Sequence, residues 1–166
     1  MTNYEIYPTG FGDVGIAADE RGLVALEFHS GDRPLRLEPD WQRGSTALTD
    51  AAARQLEEYF AGARRDFDLP LNPRGTEFQR RVWDALLRIP YGETRSYRQQ
   101  AGSLGNLKAI RAVARANGAN RIAVVIPCHR VIGADGTLTG YAGGLDMKAR
   151  LLTLEGARFV QQAELL

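Results

Sequence analysis

The 166-residue sequence has the composition of an ordinary globular protein, with 44% hydrophobic and 25% charged residues and a formal net charge of +1. Its single cysteine excludes an intrachain disulfide and a zinc site built on several thiolates. No apolar run approaches the roughly 18–20 residues that cross a membrane, and the polar N-terminus does not resemble a signal peptide. A cytoplasmic protein is therefore expected.

The N-terminal half predicts a small sheet followed by a helix. Segments 3–7, 13–19 and 22–28 are short and rich in β-branched and aromatic residues, and so predict an antiparallel meander. The polar residues 30–46 are expected to form a surface connection. Thr49 and Asp50 favour the start of a helix over about 50–61, and residues 67–69 predict one more strand.

A change of charge marks the predicted domain boundary. Residues 1–73 carry 7 arginines and 13 acidic residues, whereas residues 74–130 carry 11 basic and 3 acidic residues. We therefore predict an N-terminal domain over 1–72 and a C-terminal domain over 73–166. The positive segment favours a polyanionic partner such as nucleic acid, although a solvated arginine-rich helix face is an alternative.

The C-terminal half begins with three predicted helices. Apolar residues at helical spacing predict a helix over 77–88. Ser96 has the capping-box spacing with Gln99 and predicts a short helix over 97–102. Asn106 favours the start of another helix over 107–117, with Gly118 as its C-terminal cap.

The second and third of these helices form a helix-turn-helix pattern, since a short glycine-containing turn joins them. The third helix exposes Lys108, Arg111 and Arg115 and is rich in small alanines. Such pairs also occur as plain packing units, but the surrounding positive charge favours DNA binding.

The chain's only cysteine lies in the segment 126–131, next to one of its two histidines. An apolar run over 122–126 predicts a buried strand or an extended core segment leading to it. A thiolate is a nucleophile, and an imidazole can accept the thiol proton. Adjacent side chains of extended backbone point to opposite faces, so a water-bridged relay is expected between Cys128 and His129. A buried structural thiol and a core histidine are the alternatives.

Two downstream features complete the candidate site. Residues 139–144 contain three glycines around Tyr141, and such a loop can approach a flat ligand closely. A helix is predicted over 147–154, and Glu155 at its end is a candidate to orient His129. Residues 157–166 are expected to be loosely packed.

The motif at residues 127–131 resembles the active-site motif of the O6-alkylguanine-DNA alkyltransferases, also called methylated-DNA–protein-cysteine methyltransferases. Segments 74–79, 89–94, 96–97, 111–113, 116–118 and 139–144 also resemble this family, in the family's order. The resemblance implies a mixed α/β (α+β) fold. It consists of an N-terminal, ribonuclease H-like small antiparallel sheet with a helix, and a mostly helical C-terminal domain with a helix-turn-helix of winged-helix type.

The resemblance also implies a function, which is DNA repair by direct damage reversal. A flipped-out O6-alkylguanine in duplex DNA would transfer its alkyl group to Cys128 in one irreversible turnover, without cofactor or metal. The implied partners are duplex DNA carrying this base and further copies of the chain along that DNA, with no membrane. The alternatives are a non-catalytic sensor of alkylated DNA and a cysteine hydrolase that uses Cys128 and His129.

The resemblance further implies residue roles. Cys128 would be the nucleophile, with His129 as its base through water and Glu155 behind the histidine. Asn120 would brace the active-site turn. Tyr97 would help to rotate the nucleotide and protonate the departing guanine, and Arg111 would enter the base stack. The other implied DNA contacts are Ser96, Lys108, Ala109, Ile110, Arg115 and Arg130. The implied guanine pocket consists of Val131, Tyr141, Ala142 and Gly143.

Residues 97–100 are more basic and polar than the commoner sequence of the family, and three single positions also depart from the family pattern. Arg121 follows Asn120 where many relatives have proline, and it is expected to add a phosphate contact. Ala114 replaces a glycine of many bacterial relatives and would keep its helix slightly further from its neighbour. Ala142 replaces a serine that can bond the O6 atom, so this bond would have to come from the backbone.

Overall fold

The computed structural model describes residues 1–160, and the chain divides into two compact units. The first unit consists of residues 1–74 together with residues 121–125. The second consists of residues 75–120 and, within the described chain, residues 126–160. The predicted boundary after residue 72 lies two residues before the end of the first stretch, and the predicted division leaves residues 121–125 in the C-terminal domain.

The first unit contains a four-stranded sheet. Its strands are β1 (Thr2–Tyr7), β2 (Val14–Ala18), β3 (Leu23–Phe28) and β4 (Trp41–Arg43), in the order β3-β2-β1-β4. The predicted meander is confirmed, but β4 pairs parallel with β1, so the sheet is mixed rather than antiparallel. The predicted surface connection missed β4, whose Trp41 packs with Tyr4 against a small buried cluster.

One helix, α1 (Ala47–Phe60), packs against β1 and β2 of this sheet and starts earlier than predicted. Thr46 is its N-cap and forms a reciprocal capping box with Thr49. The predicted strand at 67–69 is wrong. The Gln55 side chain accepts from Asp68 N at 2.9 Å and donates to Asp68 O at 3.0 Å, and these are the backbone groups that a strand ladder would use.

The predicted strand at 122–126 is also wrong. Only Ile122 forms a bridge, beside Leu26 of β3, and Leu26 N donates to Arg121 O at 2.7 Å. Val124 then adopts a φ of 69°, with Val125 N donating to Ala123 O at 2.8 Å. This is a γ-turn of the rarer, strained hand, and a positive φ is unusual for a β-branched residue. The bonds to β3 explain why residues 121–125 belong to the first unit.

Arg121 does not present its guanidinium for the expected phosphate contact. It forms ion pairs with Glu27 at 2.9 Å and Glu38 at 3.1 Å, and it donates to Arg36 O at 2.6 Å. Its guanidinium also lies 5.0 Å from the ring centre of Trp41. Acceptors of the first unit bind these donors. Arg121 therefore has a structural role within that unit, and the expected phosphate contact is wrong.

The second unit is mostly helical. Its elements are α2 (Glu77–Leu86), β5 (Arg95–Ser96), α3 (Tyr97–Ser103), α4 (Ile110–Gly118), β6 (Val131–Ile132) and α5 (Leu145–Leu154). The two short strands β5 and β6 pair in parallel, which the sequence did not predict. Within residues 1–160, no helix has both the length and the apolar character that spanning a membrane requires.

The helix-turn-helix prediction is accurate at the start of α3 and less so around α4. Ser96 caps α3 through the predicted capping box with Gln99. Residues Leu107–Ala109 form a 3-10 turn capped by Asn106, and α4 begins only at Ile110. Gly118 is the last residue of α4 rather than its cap. Trp83 of α2 donates to Ala116 O at 2.8 Å and so fixes α2 to α4.

The end of the described chain is held in place. Val160 N donates to Gly136 O at 2.8 Å, and Val160 forms a bridge with Thr137. The expected loose packing is therefore wrong for residues 157–160. Residues 161–166, the remainder of that prediction, lie outside the described residues.

A buried amide pair joins the two helices of the helix-turn-helix. Gln100 of α3 donates to Asn117 Oδ1 at 2.8 Å, and Asn117 donates back to Gln100 Oε1 at 2.7 Å. Replacing Asn117 by Leu leaves the Gln100 amide unpaired, so we expect a loss of about 1–3 kcal/mol in the free energy of unfolding. The double replacement by Leu should recover most of this loss in urea unfolding. Additive losses in the double variant would contradict this interpretation.

Candidate active site

The backbone around Cys128 is tightly turned rather than extended. Pro127 lies at φ −83° and ψ 63°, and Cys128 N donates to Ile126 O at 2.8 Å, which is the geometry of an inverse γ-turn. Asn120 Nδ2 donates to the same carbonyl at 2.9 Å. Residues Cys128–Arg130 then form a 3-10 turn. The expectation of extended backbone at the thiol is therefore wrong, and Asn120 lies where it can brace the turn.

Cys128 and His129 are not directly hydrogen-bonded. Cys128 is partly accessible, whereas the His129 side chain is fully buried. His129 Nε2 lies 2.9 Å from Glu155 Oε2, and Nδ1 has no hydrogen-bond partner among residues 1–160. Because Glu155 can only accept when ionised, Nε2 carries the hydrogen and Nδ1 has the free lone pair. A proton acceptor is therefore available on the residue that follows Cys128 in the chain.

Arg130 is buried, which corrects the expectation that it contacts DNA. Its Nε and Nη2 donate to the two oxygens of Glu155 at 2.8 and 2.9 Å, and Nη1 donates to Ile89 O at 2.6 Å. Burial alone would raise the pKa of Glu155, but the hydrogen bonds from His129 and Arg130 outweigh it and hold the pKa at about 2. Glu155 is therefore a fixed anion behind the histidine.

Burial also decides the charge states of the reacting pair. It raises the pKa of the Cys128 thiol, against the opposing effects of an Asn120 hydrogen bond and the charge of Lys148. It lowers the pKa of His129, against the opposing effect of Glu155. Both groups are therefore neutral at neutral pH, and the thiolate has to be generated during the reaction.

The loop over residues 139–144 is anchored at its start. Lys148 Nζ of α5 donates to Thr139 O at 2.9 Å and to Gly140 O at 3.3 Å. The Tyr97 hydroxyl, at the start of α3, also donates to Thr139 O at 3.2 Å. Tyr141, inside the loop, has a buried hydroxyl without a hydrogen-bond partner among residues 1–160. Burial, followed by the charges of Cys128 and Glu155, raises the Tyr141 pKa well above its usual value.

The remaining residues implied by the resemblance differ in how exposed they are to solvent. Lys108, Arg111 and Arg115 are exposed, Ala109 and Ile110 are half-buried, and the Ser96 hydroxyl caps α3. In the implied pocket, Ala142 is exposed and Gly143 half-buried. Val131 is fully buried in β6 and is not accessible to a base in this conformation, which corrects that expectation. Among residues 1–160, no three His, Cys, Asp or Glu side chains are grouped to hold a metal ion.

Sequence reasoning missed Lys148 as a part of this site, and it placed Thr139 in the loop over residues 139–144 without giving it a role. Lys148, Leu151, Leu152 and Glu155 recur at the spacing of one helix face, and all four are buried. A lysine on the same face as two buried leucines and the proposed acid is the signal that could have identified it.

Comparison with known proteins gives consistent matches along the chain. Residues 3–73 match a family described as "6-O-methylguanine DNA methyltransferase, ribonuclease-like domain", and residues 77–157 match "6-O-methylguanine DNA methyltransferase, DNA binding domain". A methylated-DNA–protein-cysteine methyltransferase of Methanosarcina acetivorans is 50% identical over 93% of this chain and 98% of its own. A protein of the same name from Mycolicibacterium paratuberculosis is 62% identical over 69% of each chain.

Solved structures agree with these sequence matches. The crystal structure of Mycobacterium tuberculosis OGT in complex with DNA has a TM-score of 0.84 and 44% identity, and the match covers 92% of each chain. Both the sheet of the first unit and the helices of the second therefore have counterparts in a protein that was crystallised on DNA.

Proposed function

This chain belongs to the methylated-DNA–protein-cysteine methyltransferase family, and we propose that Cys128 takes the alkyl group of O6-alkylguanine in duplex DNA in one irreversible transfer. One observation carries the assignment of roles. A partly accessible thiol lies next to a buried histidine whose Nδ1 is free and whose Nε2 is held by an ionised Glu155. This arrangement supplies a nucleophile, a base and the anion that stabilises the protonated base.

The transfer is a single displacement. The thiol proton passes through a water molecule to His129 Nδ1, and the ionised Glu155 stabilises the resulting imidazolium. Cys128 Sγ attacks the alkyl carbon, so that the S–C bond forms as the bond from that carbon to O6 breaks. The electron pair of the broken bond stays with the guanine, which takes one proton from the Tyr97 hydroxyl, and solvent restores the hydroxyl. A thioether carbon is a poor electrophile, so the sulfur is not regenerated.

Access to the alkyl carbon requires that the base leaves the stack, because a base inside the duplex cannot reach a thiol in a protein site. We assign DNA contacts to the exposed cations of α4 and the turn before it, with Arg111 filling the vacated position in the stack. The small alanines of α4 suit close approach in the minor groove. Because phosphate contacts release counterions, the affinity should fall as the salt concentration rises.

Two broader assignments belong to the same proposal. We divide the chain into functional domains near residue 72. We assign residues 121–125 to the first domain, although they come later in the sequence. We also place the protein in the cytoplasm, where reducing conditions keep a lone reactive thiol such as Cys128 free.

Mass spectrometry after incubation with a duplex containing O6-methylguanine tests the transfer. We expect one methyl group on Cys128, no second turnover, and no modification in the Cys128→Ala variant. Tight binding to the duplex with an intact lesion and an unmodified thiol would instead identify a damage sensor and would overturn the proposal. Repeated turnover of an acyl substrate would identify a cysteine hydrolase.

A further inference from the structure

Two hydrogen bonds of opposite direction join Tyr97 to Thr139. The Tyr97 hydroxyl donates to Thr139 O at 3.2 Å, and Thr139 Oγ1 donates to the Tyr97 hydroxyl oxygen, also at 3.2 Å. Each residue therefore acts once as donor and once as acceptor. The hydroxyl hydrogen of Tyr97 lies towards the loop backbone, and the hydroxyl hydrogen of Thr139 lies towards the phenol oxygen.

Separate elements hold the two partners of this pair. Tyr97 is the first residue of α3. Thr139 directly follows Leu138 in the chain. Leu138 is 5% exposed and packs with Ile132 of β6 and Leu152 of α5 in a buried cluster. The pair therefore joins α3 to the loop at the end where a buried side chain anchors the loop backbone.

The carbonyl of Thr139 does not depend on the phenol. Lys148 Nζ donates to Thr139 O at 2.9 Å, and a carbonyl oxygen has two lone pairs. When the Tyr97 hydroxyl turns towards a substrate, this carbonyl keeps one donor. The bond that is given up is 3.2 Å long, whereas hydroxyl donors usually bond at about 2.7–2.8 Å. The phenol hydrogen can therefore be exchanged at low cost.

The bond from the Thr139 hydroxyl changes in strength during the proposed reaction. The departing guanine takes a proton from Tyr97, so the phenol oxygen gains negative charge as its O–H bond breaks. A hydrogen bond to an ionised acceptor is roughly twice as strong as one between neutral groups. Among residues 1–160, Thr139 Oγ1 is the donor that the phenol oxygen has. This donor is in place before the charge forms, which is the arrangement that lowers a barrier.

We infer that Thr139 is a positioning residue for the alkyl transfer, whose hydroxyl orients the Tyr97 phenol and stabilises the charge on its oxygen as it protonates the departing guanine. This inference rests on the proposed function, which makes Tyr97 the proton donor. Solvent then returns a proton to the phenol oxygen, and the Thr139 hydroxyl keeps its own hydrogen. Thr139 is exposed, so its hydroxyl contributes little to folding.

Single-turnover transfer from a duplex containing O6-methylguanine measures what the hydroxyl contributes. Thr139→Val keeps the size and the β-branch of the side chain but removes the donor. Its maximal rate should fall about 10- to 100-fold, the order expected when a developing charge loses one donor. The DNA concentration at half-maximal rate should stay unchanged. Thr139→Ser keeps the hydroxyl and should keep most of the rate. The matched control, Thr153→Val, removes an exposed hydroxyl of α5 and should transfer at the wild-type rate.

A double variant tests whether the Thr139 hydroxyl acts through the phenol. Tyr97→Phe lacks the proton donor and should itself be slow. Because this variant has no phenol oxygen, adding Thr139→Val should slow it by less than about twofold. The reaction of Cys128 with iodoacetamide should match the wild type in every variant, since the pair takes no part in removing the thiol proton. The melting temperature of Thr139→Val should stay within about 2 °C of the wild type.

The outcomes separate this inference from the proposed function. Thr139→Val at the wild-type rate, with Tyr97→Phe slow, would overturn the role of Thr139 and leave the transfer intact. Losses that multiply in the double variant would show that the hydroxyl does not act through the phenol. A lower iodoacetamide rate or melting temperature in Thr139→Val would reduce Thr139 to a structural residue. Tyr97→Phe at the wild-type rate would overturn the inference by removing its proton donor. Failure of the wild type to take the methyl group would overturn the proposed function, and the inference with it.

Discussion

Replacing Glu155 by Gln will lower the free energy of unfolding by about 3–5 kcal/mol, the cost typical of breaking a buried ion pair by removing one partner. Glu155 is 5% exposed and accepts hydrogen bonds from both Arg130 and His129. A neutral amide keeps the shape but leaves the Arg130 guanidinium buried without its countercharge. Urea unfolding of the two proteins measures the difference.

The matched control is Glu93→Gln. Glu93 is exposed and pairs with Arg95 at 3.2 Å, and exposed pairs contribute only about 0–1 kcal/mol. Equal losses in the Glu93 and Glu155 variants would show that the buried cluster contributes no more than an exposed pair.

The pH dependence of stability is a second test of the cluster formed by Glu155, His129 and Arg130. The pKa of Glu155 is lowered to about 2, so its contribution is complete above its ordinary value of 4.5 and is lost as pH falls towards 2. The pKa of His129 is lowered from 6.5, so the unfolded chain takes up a proton first and stability begins to fall below that pH. Wild-type stability should thus decrease in two stages on acidification, and Glu155→Gln should show a smaller second stage, to which Glu27 and Asp19, whose pKa values are also lowered, still contribute.

Elements that depend on nearby residues could be predicted from the sequence. The start of α3 follows from Ser96 and Gln99, which satisfy each other's backbone donors within one turn. The meander follows from alternating residue types and intervening turns. In contrast, β4 has only three residues and exists because it pairs with β1, which lies almost forty residues earlier. No local pattern signals such a strand.

The apolar run at 122–126 shows why composition alone does not determine backbone shape. Its residues are buried or half-buried, as expected for a strand. However, Val125 and Cys128 donate to carbonyls two residues earlier, so the amides are used within the segment rather than in a ladder. The resulting turns bring the chain from the first unit into the 3-10 turn at Cys128, and the strain at Val124 is stored directly before the site.

The candidate site was predictable in its reactive members and not in its supporting ones. Cys128 and His129 are distinguished by chemistry and rarity, whereas the place of Glu155 at the end of a helix made it only a candidate, which the family resemblance then selected. The burial of Arg130 depends on Glu155 and Ile89, which are 25 and 41 residues away along the chain. Its local sequence therefore showed only another positive charge in a basic segment. Lys148 was equally hidden, because its acceptors are backbone carbonyls, which every residue type provides.

Replacing His129 by Gln will slow methyl transfer at neutral pH by about 10²- to 10⁴-fold, the usual contribution of a positioned general base. Glutamine can still donate to Glu155, but its amide cannot accept the thiol proton. The thiol must then ionise without assistance, so the variant's rate should rise about tenfold per pH unit and recover about 100-fold of its deficit between about pH 7 and about pH 9.

Single-turnover transfer to the protein from a methylated duplex, followed across pH, checks this expectation. His29→Gln is the matched control, because His29 belongs to the first unit, where its Nδ1 accepts from Leu35 N at 2.9 Å. It should transfer at the wild-type rate at every pH. A His129→Gln variant that stays slow at high pH would assign the loss to distortion of the 3-10 turn, whereas recovery isolates proton removal as the function of the imidazole.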